Sequence, residues 1–133
     1  MRLAIIDLGT NSVRFDVVEV AEGGQILKLH REKLMIRLGD KVFLRKRLDP
    51  HAIGVCIDAF RSFKSTLEDF HVKRVIAFGT AALREARDGA RLIEKIKRQT
   101  GITVRIISGD EEARLIAKGV LKNESSLRGR FAL

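Results

Sequence analysis

The first 38 residues constrain the fold most, because they contain three extended segments separated by two tight polar turns. Leu3-Ala4-Ile5-Ile6 is a short apolar run of the buried-strand kind, and after the turn Asp7 to Asn11 a second extended run covers Ser12 to Val20. Glu22-Gly23-Gly24 marks the next reversal, and Gln25 to Leu38 carries Ile26, Leu27, Leu29, Leu34 and Ile36 in the manner of a third strand. Connections this short join neighbours antiparallel, so the chain is expected to open as a three-stranded meander.

Beyond residue 48 the period changes. Asp49 can cap a helix and Pro50 is tolerated at its first position, and apolar residues at 53, 56, 60, 63, 67 and 70 keep the three-four spacing of one long amphipathic helix. Val75 to Phe78 is then a strand and Thr80 to Ala86 a short helix capped by Thr80. Asp88 to Thr100 is a second helix stopped by Gly101, Thr103 to Ile107 a further strand, and a last helix runs from about Asp110 to Leu121. The order βββαβααβα combines an antiparallel opening with later parallel crossovers, which predicts an α/β fold with a five-stranded mixed sheet flanked by helices. We expect one domain over residues 1–122. Asn123 to Arg130 is polar and Phe131-Ala132-Leu133 starts a new apolar stretch, so residues 123–133 are expected to be a linker and the beginning of a truncated second domain.

With 133 residues, 45% of them hydrophobic, the chain can bury a core without disulfide staples. Its one cysteine, Cys56, lies in an apolar-periodic stretch and has no second cysteine to pair with, which points to a reducing compartment. No stretch approaches the roughly 20 apolar residues of a membrane span, and no secretory leader is present, so the cytoplasm is the expected location. The net charge is +9, and residues 31–47, with seven basic and two acidic residues, hold more than half of the excess. Such a field concentrates polyanions, whether nucleic acid, a membrane surface or a phosphate chain. Without Trp or Tyr to stack on bases, and with most of the seven Phe at core-like positions, nucleic acid is not the expected partner.

Four segments can carry chemistry. Asp7-Leu8-Gly9-Thr10-Asn11-Ser12-Val13-Arg14 is a strand end feeding a small polar turn. Gly9 lets backbone N–H groups approach an oxyanion, Thr10, Asn11 and Ser12 add donors, Arg14 adds a permanent cationic fork, and Asp7 can hold a hydrated divalent cation. The same segment also suits an ordinary hairpin turn with Asx-type hydrogen bonds. In Ile107-Ser108-Gly109-Asp110-Glu111-Glu112-Ala113-Arg114 a strand ends and a helix begins, with Ser108 and Glu111 at capping-box spacing. Glu112 points about 100° away from Glu111 and is the candidate general base, although a carboxylate there also suits the helix dipole. Gly79-Thr80-Ala81-Ala82-Leu83-Arg84-Glu85-Ala86 places Arg84 one turn into a helix, where it can reach a phosphate or pair with Glu85 or Asp88. Arg37-Leu38-Gly39-Asp40 can line the mouth of the same cleft or be a solvated loop. His30, His51 and His71 lack metal-ligand spacing, and no Ser/His/Asp or Cys/His set can be assembled.

These four segments, in this order, resemble the N-terminal domain of the exopolyphosphatase and guanosine pentaphosphate phosphohydrolase family, within the actin-like, sugar kinase and heat-shock ATPase superfamily. The resemblance implies a ribonuclease-H-like fold, Mg²⁺ dependence, and hydrolytic removal of a terminal phosphate from polyphosphate or guanosine pentaphosphate. It assigns Glu112 the catalytic-base position, Gly9, Thr10, Asn11 and Ser12 the first phosphate loop, Arg14 and Arg84 the phosphate charge, and Asp7 the metal. Gly79 and Ala81 depart from the Ala and Ser or Thr that relatives often carry. The family's second phosphate loop would begin just after Leu133, so the partners expected are the substrate, the remaining C-terminal part of a longer chain, and a second copy of that longer chain. The fragment alone is expected to be inactive. An ATP-dependent phosphotransferase of the same superfamily and a non-catalytic polyanion-binding module remain the alternatives.

Overall fold

The computed structural model describes residues 1–40 and 42–114. The meander is β1 (Arg2–Leu8), β2 (Ser12–Val20) and β3 (Ile26–Met35), followed by α1 (Val42–Arg45), α2 (Pro50–Asp69), β4 (Arg74–Gly79), α3 (Ala81–Glu85), α4 (Gly89–Thr100) and β5 (Val104–Ile106). One five-stranded sheet has the order β3-β2-β1-β4-β5, antiparallel on the β1–β2 and β2–β3 ladders and parallel on β1–β4 and β4–β5. The mixed α/β sheet flanked by helices is therefore as expected.

Alternation builds the core. Ala4, Ile6 and Leu8 of β1 are buried and stand opposite Val17, Phe15 and Val13 of β2, so one face of the meander is continuous hydrocarbon. Cys56, Phe60 and Phe63 on the apolar stripe of α2 belong to the same core, with Phe15 and Phe63 stacked at a centroid distance of 4.4 Å. Leu92 and Ile96 of α4 complete it. Truncating Phe60 to alanine would be expected to cost about 3–5 kcal/mol. Local signals set the ends of the helices: the Asp49 carboxylate accepts the Ala52 N–H at 3.1 Å at the start of α2, and Gly101, with φ 77°, closes α4.

The structure departs from expectation at four places. The helix α1 was not expected, because a single turn leaves no period to detect in a segment dominated by charge. β3 stops at Met35 rather than Leu38, because Arg37 adopts φ 60° and turns the chain. Thr80 occupies an N-cap position but makes no capping bond, and Asp88, expected inside the helix, precedes it, with its carboxylate accepting the Leu48 N–H at 3.0 Å. The last helix begins at residue 109 rather than 110 and is helical to 114. Its expected continuation to Leu121 and the expected linker 123–133 lie outside the described residues.

No described helix is long and apolar enough to cross a membrane. The parallel strands β1, β4 and β5 bring their carboxyl ends to the same edge of the sheet, the edge where open α/β sheets receive ligands.

Candidate functional site

The turn between β1 and β2 is shaped from outside as well as from within. Gly9 N–H donates to the Ser12 carbonyl at 2.9 Å, and a Cβ on Gly9 would lie 3.2 Å from that same oxygen. The Asn11 carbonyl accepts from both Ile36 and Arg37 N–H at 2.8 Å, and the Thr10 carbonyl accepts from Gly39 N–H at 2.8 Å. A Cβ on Gly39 would stand 2.1 Å from Thr10 Cγ2. The segment Arg37 to Asp40 thus clamps the turn with its backbone, a role the sequence reading did not assign. The glycine between Leu38 and Asp40 was its one visible signal. The N–H groups of Thr10 and Asn11 have no acceptor among the described residues, which leaves two donors for an anion.

Three strand ends deliver charge to the same edge. Asp7 on β1 is paired in register with Arg14 on β2, so both side chains leave the same face of the sheet. Burial pushes the Asp7 carboxyl above its usual range, the Arg14 cation pulls it down, and the nearby Glu112 carboxylate pushes it up. Asp7, Arg14 and Glu112 therefore share one electrostatic neighbourhood.

Arg84 on α3 reaches across to the turn beyond β5. Its Nη1 donates to the Ile107 carbonyl at 2.8 Å and, at a longer 3.3 Å, to Glu112 Oε2. Both partners are about a third exposed, so the pair orients the carboxylate and adds little stability. Glu85 and Asp88, the other carboxylates near Arg84, are engaged elsewhere: Glu85 with Lys46 at 3.2 Å, Asp88 with Leu48 N–H. Leu83, one residue earlier, is buried, and its Cδ1 lies 2.2 Å from where a Cβ on Gly79 would be. The unusual glycine at 79 therefore makes room for the leucine that seats the Arg84 helix.

The helix start beyond β5 separates the two glutamates. Ser108 Oγ accepts the Glu111 N–H at 3.0 Å, the forward half of a capping box. The return half is missing, because the Glu111 carboxylate pairs with Arg105 at 2.5 Å. Glu112, with its N–H on the Ser108 carbonyl at 2.9 Å, turns instead toward Arg84 and Asp7.

Among the described residues there is no group of three or more His, Cys, Asp or Glu that could enclose a metal ion. The Asp7 carboxylate, whose charge is disfavoured by burial and by Glu112, fits a hydrated Mg²⁺ that takes one or two protein carboxylates and the rest of its oxygens from water and phosphate. Cys56 is fully buried and its thiol is pushed up to about 12, which makes it unreactive.

Comparison with known proteins shows the family and the fold. The family described as Ppx/GppA phosphatase matches residues 17–131. The chain is 37% identical over 118 residues to a guanosine-5'-triphosphate,3'-diphosphate pyrophosphatase of Photobacterium profundum, covering 88% of this chain and 23% of that protein. It superimposes with a TM-score of 0.87 on an exopolyphosphatase from Cytophaga hutchinsonii, at 30% identity, over 92% of this chain and 39% of that one. With an Aquifex aeolicus Ppx/GppA protein the TM-score is 0.82 at 32% identity, over 86% and 37% of the two chains. The chain spans between about a fifth and a third of the length of the curated relatives it matches, 19% of one and 33% of another.

Proposed function

Because the chain belongs to the Ppx/GppA phosphatase family, whose fold it has, we propose that it supplies one wall of a phosphoanhydride hydrolase site that releases terminal phosphate from inorganic polyphosphate or guanosine pentaphosphate. One observation carries the reading: Glu112, held by Arg84, lies within electrostatic reach of Asp7, at the sheet edge where the clamped Gly9–Ser12 turn leaves two N–H groups with no acceptor among the described residues. On this reading Gly9, Thr10, Asn11 and Ser12 cradle the terminal phosphate, and Arg14 and Arg84 offset its charge. Glu112 accepts a proton from water as the water oxygen bonds to phosphorus. The anhydride P–O bond breaks, and its electron pair leaves with the shortened chain.

Mg²⁺, held by Asp7 and phosphate oxygens, would neutralise charge on the transferred group. The remaining contacts to phosphate would come from parts of a longer protein. A lone buried cysteine accords with a reducing interior, and we place the protein in the cytoplasm.

Phosphate release from long-chain polyphosphate with Mg²⁺ tests the reading, comparing the 133-residue chain, a longer protein that contains it, and the Glu112→Gln form of that protein. We expect turnover only from the unmodified longer protein, with Glu112→Gln lowering kcat by about 10²–10⁴-fold and leaving substrate binding intact. Parental turnover by Glu112→Gln would sink the assignment. Binding without turnover in all three would favour a polyanion-binding module, and ATP consumption that waits for an added acceptor, with no free phosphate released, would favour a phosphotransferase.

A further inference from the structure

Two cavities lie along the basic segment, outside the cleft. One, of about 340 Å³, is lined by Asp40, Arg45, Arg47, Leu48, Asp49 and Pro50. Next to it, and sharing Arg47, a cavity of about 230 Å³ is lined by Arg47, Arg87, Asp88 and Arg91. The smaller one has the sharper chemistry, with three guanidinium groups against one carboxylate.

That carboxylate is already engaged, because Asp88 Oδ1 accepts the Leu48 N–H at 3.0 Å. Among the described residues none of Arg47, Arg87 and Arg91 has an ion-pair partner or a side-chain hydrogen bond, whereas Arg31, Lys46 and Arg105 pair with Asp16, Glu85 and Glu111. The wall that carries them is fixed: Arg87 N–H donates to the Lys46 carbonyl at 2.8 Å and Asp88 accepts the Leu48 N–H, so the bend at residues 46–48 is strapped to the α3–α4 connection. Three like charges directed at one small space repel one another, and a multiply charged anion offsets that repulsion. Planar guanidinium forks match phosphate oxygens in pairs, which favours phosphate over a simple halide.

In sequence the cavity residues adjoin those of the cleft. Arg87 follows three residues after Arg84, which holds Glu112, and Asp40 on the neighbouring cavity follows Gly39, which bears on Thr10. We propose that the Arg47–Arg87–Arg91 cavity is a second phosphate-binding site, which grips an inner segment of the phosphate chain whose end lies at Gly9 to Ser12. The inference rests on the cleft being the terminal-phosphate site.

The test is an NMR titration of the ¹⁵N-labelled 133-residue chain with inorganic tripolyphosphate in Mg²⁺, followed by affinity measurements with long-chain polyphosphate. Two separate groups of amides should shift, one at residues 9–12 and one around residues 47, 87 and 91. The double variant Arg47→Ala, Arg91→Ala should lose the second group, keep the first, and bind long chains about tenfold more weakly, as expected when one of two linked grips is removed. Its spectrum reports directly whether the fold is intact. Shifts confined to residues 9–12, or parental long-chain affinity in the double variant, would overturn the second site while leaving the cleft reading in place. Shifts around the arginines with none at residues 9–12 would overturn the cleft reading and the shared chain with it.

Discussion

The turn between β2 and β3 takes its shape from glycine backbone angles, with Gly23 at φ 93° and Gly24 at φ 85°, and a Cβ at either position would meet nothing within 4 Å. The turn between β1 and β2 has no residue with positive φ, and a Cβ on its glycine would lie 3.2 Å from a carbonyl oxygen. Besides the local bond from Gly9 N–H to the Ser12 carbonyl, it is held by three N–H groups of residues 36, 37 and 39 that bind the carbonyls of Asn11 and Thr10. Two hairpin turns of similar polar composition therefore obey different rules. One is local and could be transplanted, and the other is also braced by a loop distant in sequence. An anion-binding turn gains from the second arrangement, since donors fixed beforehand need not be reorganised when charge arrives.

The contrast can be broken most forcefully at Gly39. In Gly39→Ala the new Cβ would collide with Thr10 Cγ2, 2.1 Å away, and it would also lie 3.2 Å from the Thr10 carbonyl. Overpacking of this kind is expected to cost about 1–3 kcal/mol in urea unfolding and to weaken tripolyphosphate binding at residues 9–12. Adding Thr10→Ala should recover most of the stability, and failure to do so would mean that the clamp is not the seat of the effect.

A smaller change sharpens the same contrast at the other turn. Gly24→Ala places a side chain at φ 85°, with an expected cost of about 1–2 kcal/mol. Because that turn touches nothing in the cleft, tripolyphosphate affinity should stay at its parental value; a drop would show that the two turns are coupled.

The smallest effect is expected at Asp7. Its pKa is raised in the fold above the ordinary 3.8, so the folded state binds this proton more tightly than the unfolded chain does. The charged form is then destabilising above the folded-state pKa, and the penalty disappears below 3.8. Asp7→Asn should raise Tm modestly at pH 7, and the gain should fade as the pH is lowered through the carboxylate range. A loss of Tm at neutral pH would show that the Arg14 attraction outweighs burial and the Glu112 repulsion.

Much of this was legible in the sequence because it rests on period and local chemistry. The apolar run Leu3 to Ile6 placed Ala4 and Ile6, the three-four stripe placed Phe60 and Phe63, and Asp49 and Gly101 announced their helix ends. The family resemblance drew Asp7, Arg84 and Glu112 together before any coordinates did. What stayed hidden was decided by tertiary contact. Asp88 could pair with Arg84 and serves the Leu48 N–H instead, Glu111 has capping-box spacing and pairs with Arg105, and Gly39 acts through the side of Thr10. No local pattern distinguishes these outcomes, because the competing partners are 29 to 40 residues away or, for Glu111, on the neighbouring strand.

The β1–β4 ladder has a consequence for how the molecule comes into being. Its parallel pairing joins Leu3 with Arg74 and Leu8 with Gly79, positions about 70 residues apart in sequence, and Thr80 N–H closes it on the Leu8 carbonyl at 3.2 Å. The hairpins of the meander can zip up early from short loops, whereas this ladder must wait for a long closure whose entropy is lost before any contact compensates it. Asp7 and Arg84 sit on opposite sides of that seam. A nascent chain can therefore hold a well-formed meander while the arginine and the aspartate are still strangers, and the site is born with the slowest contact in the fold.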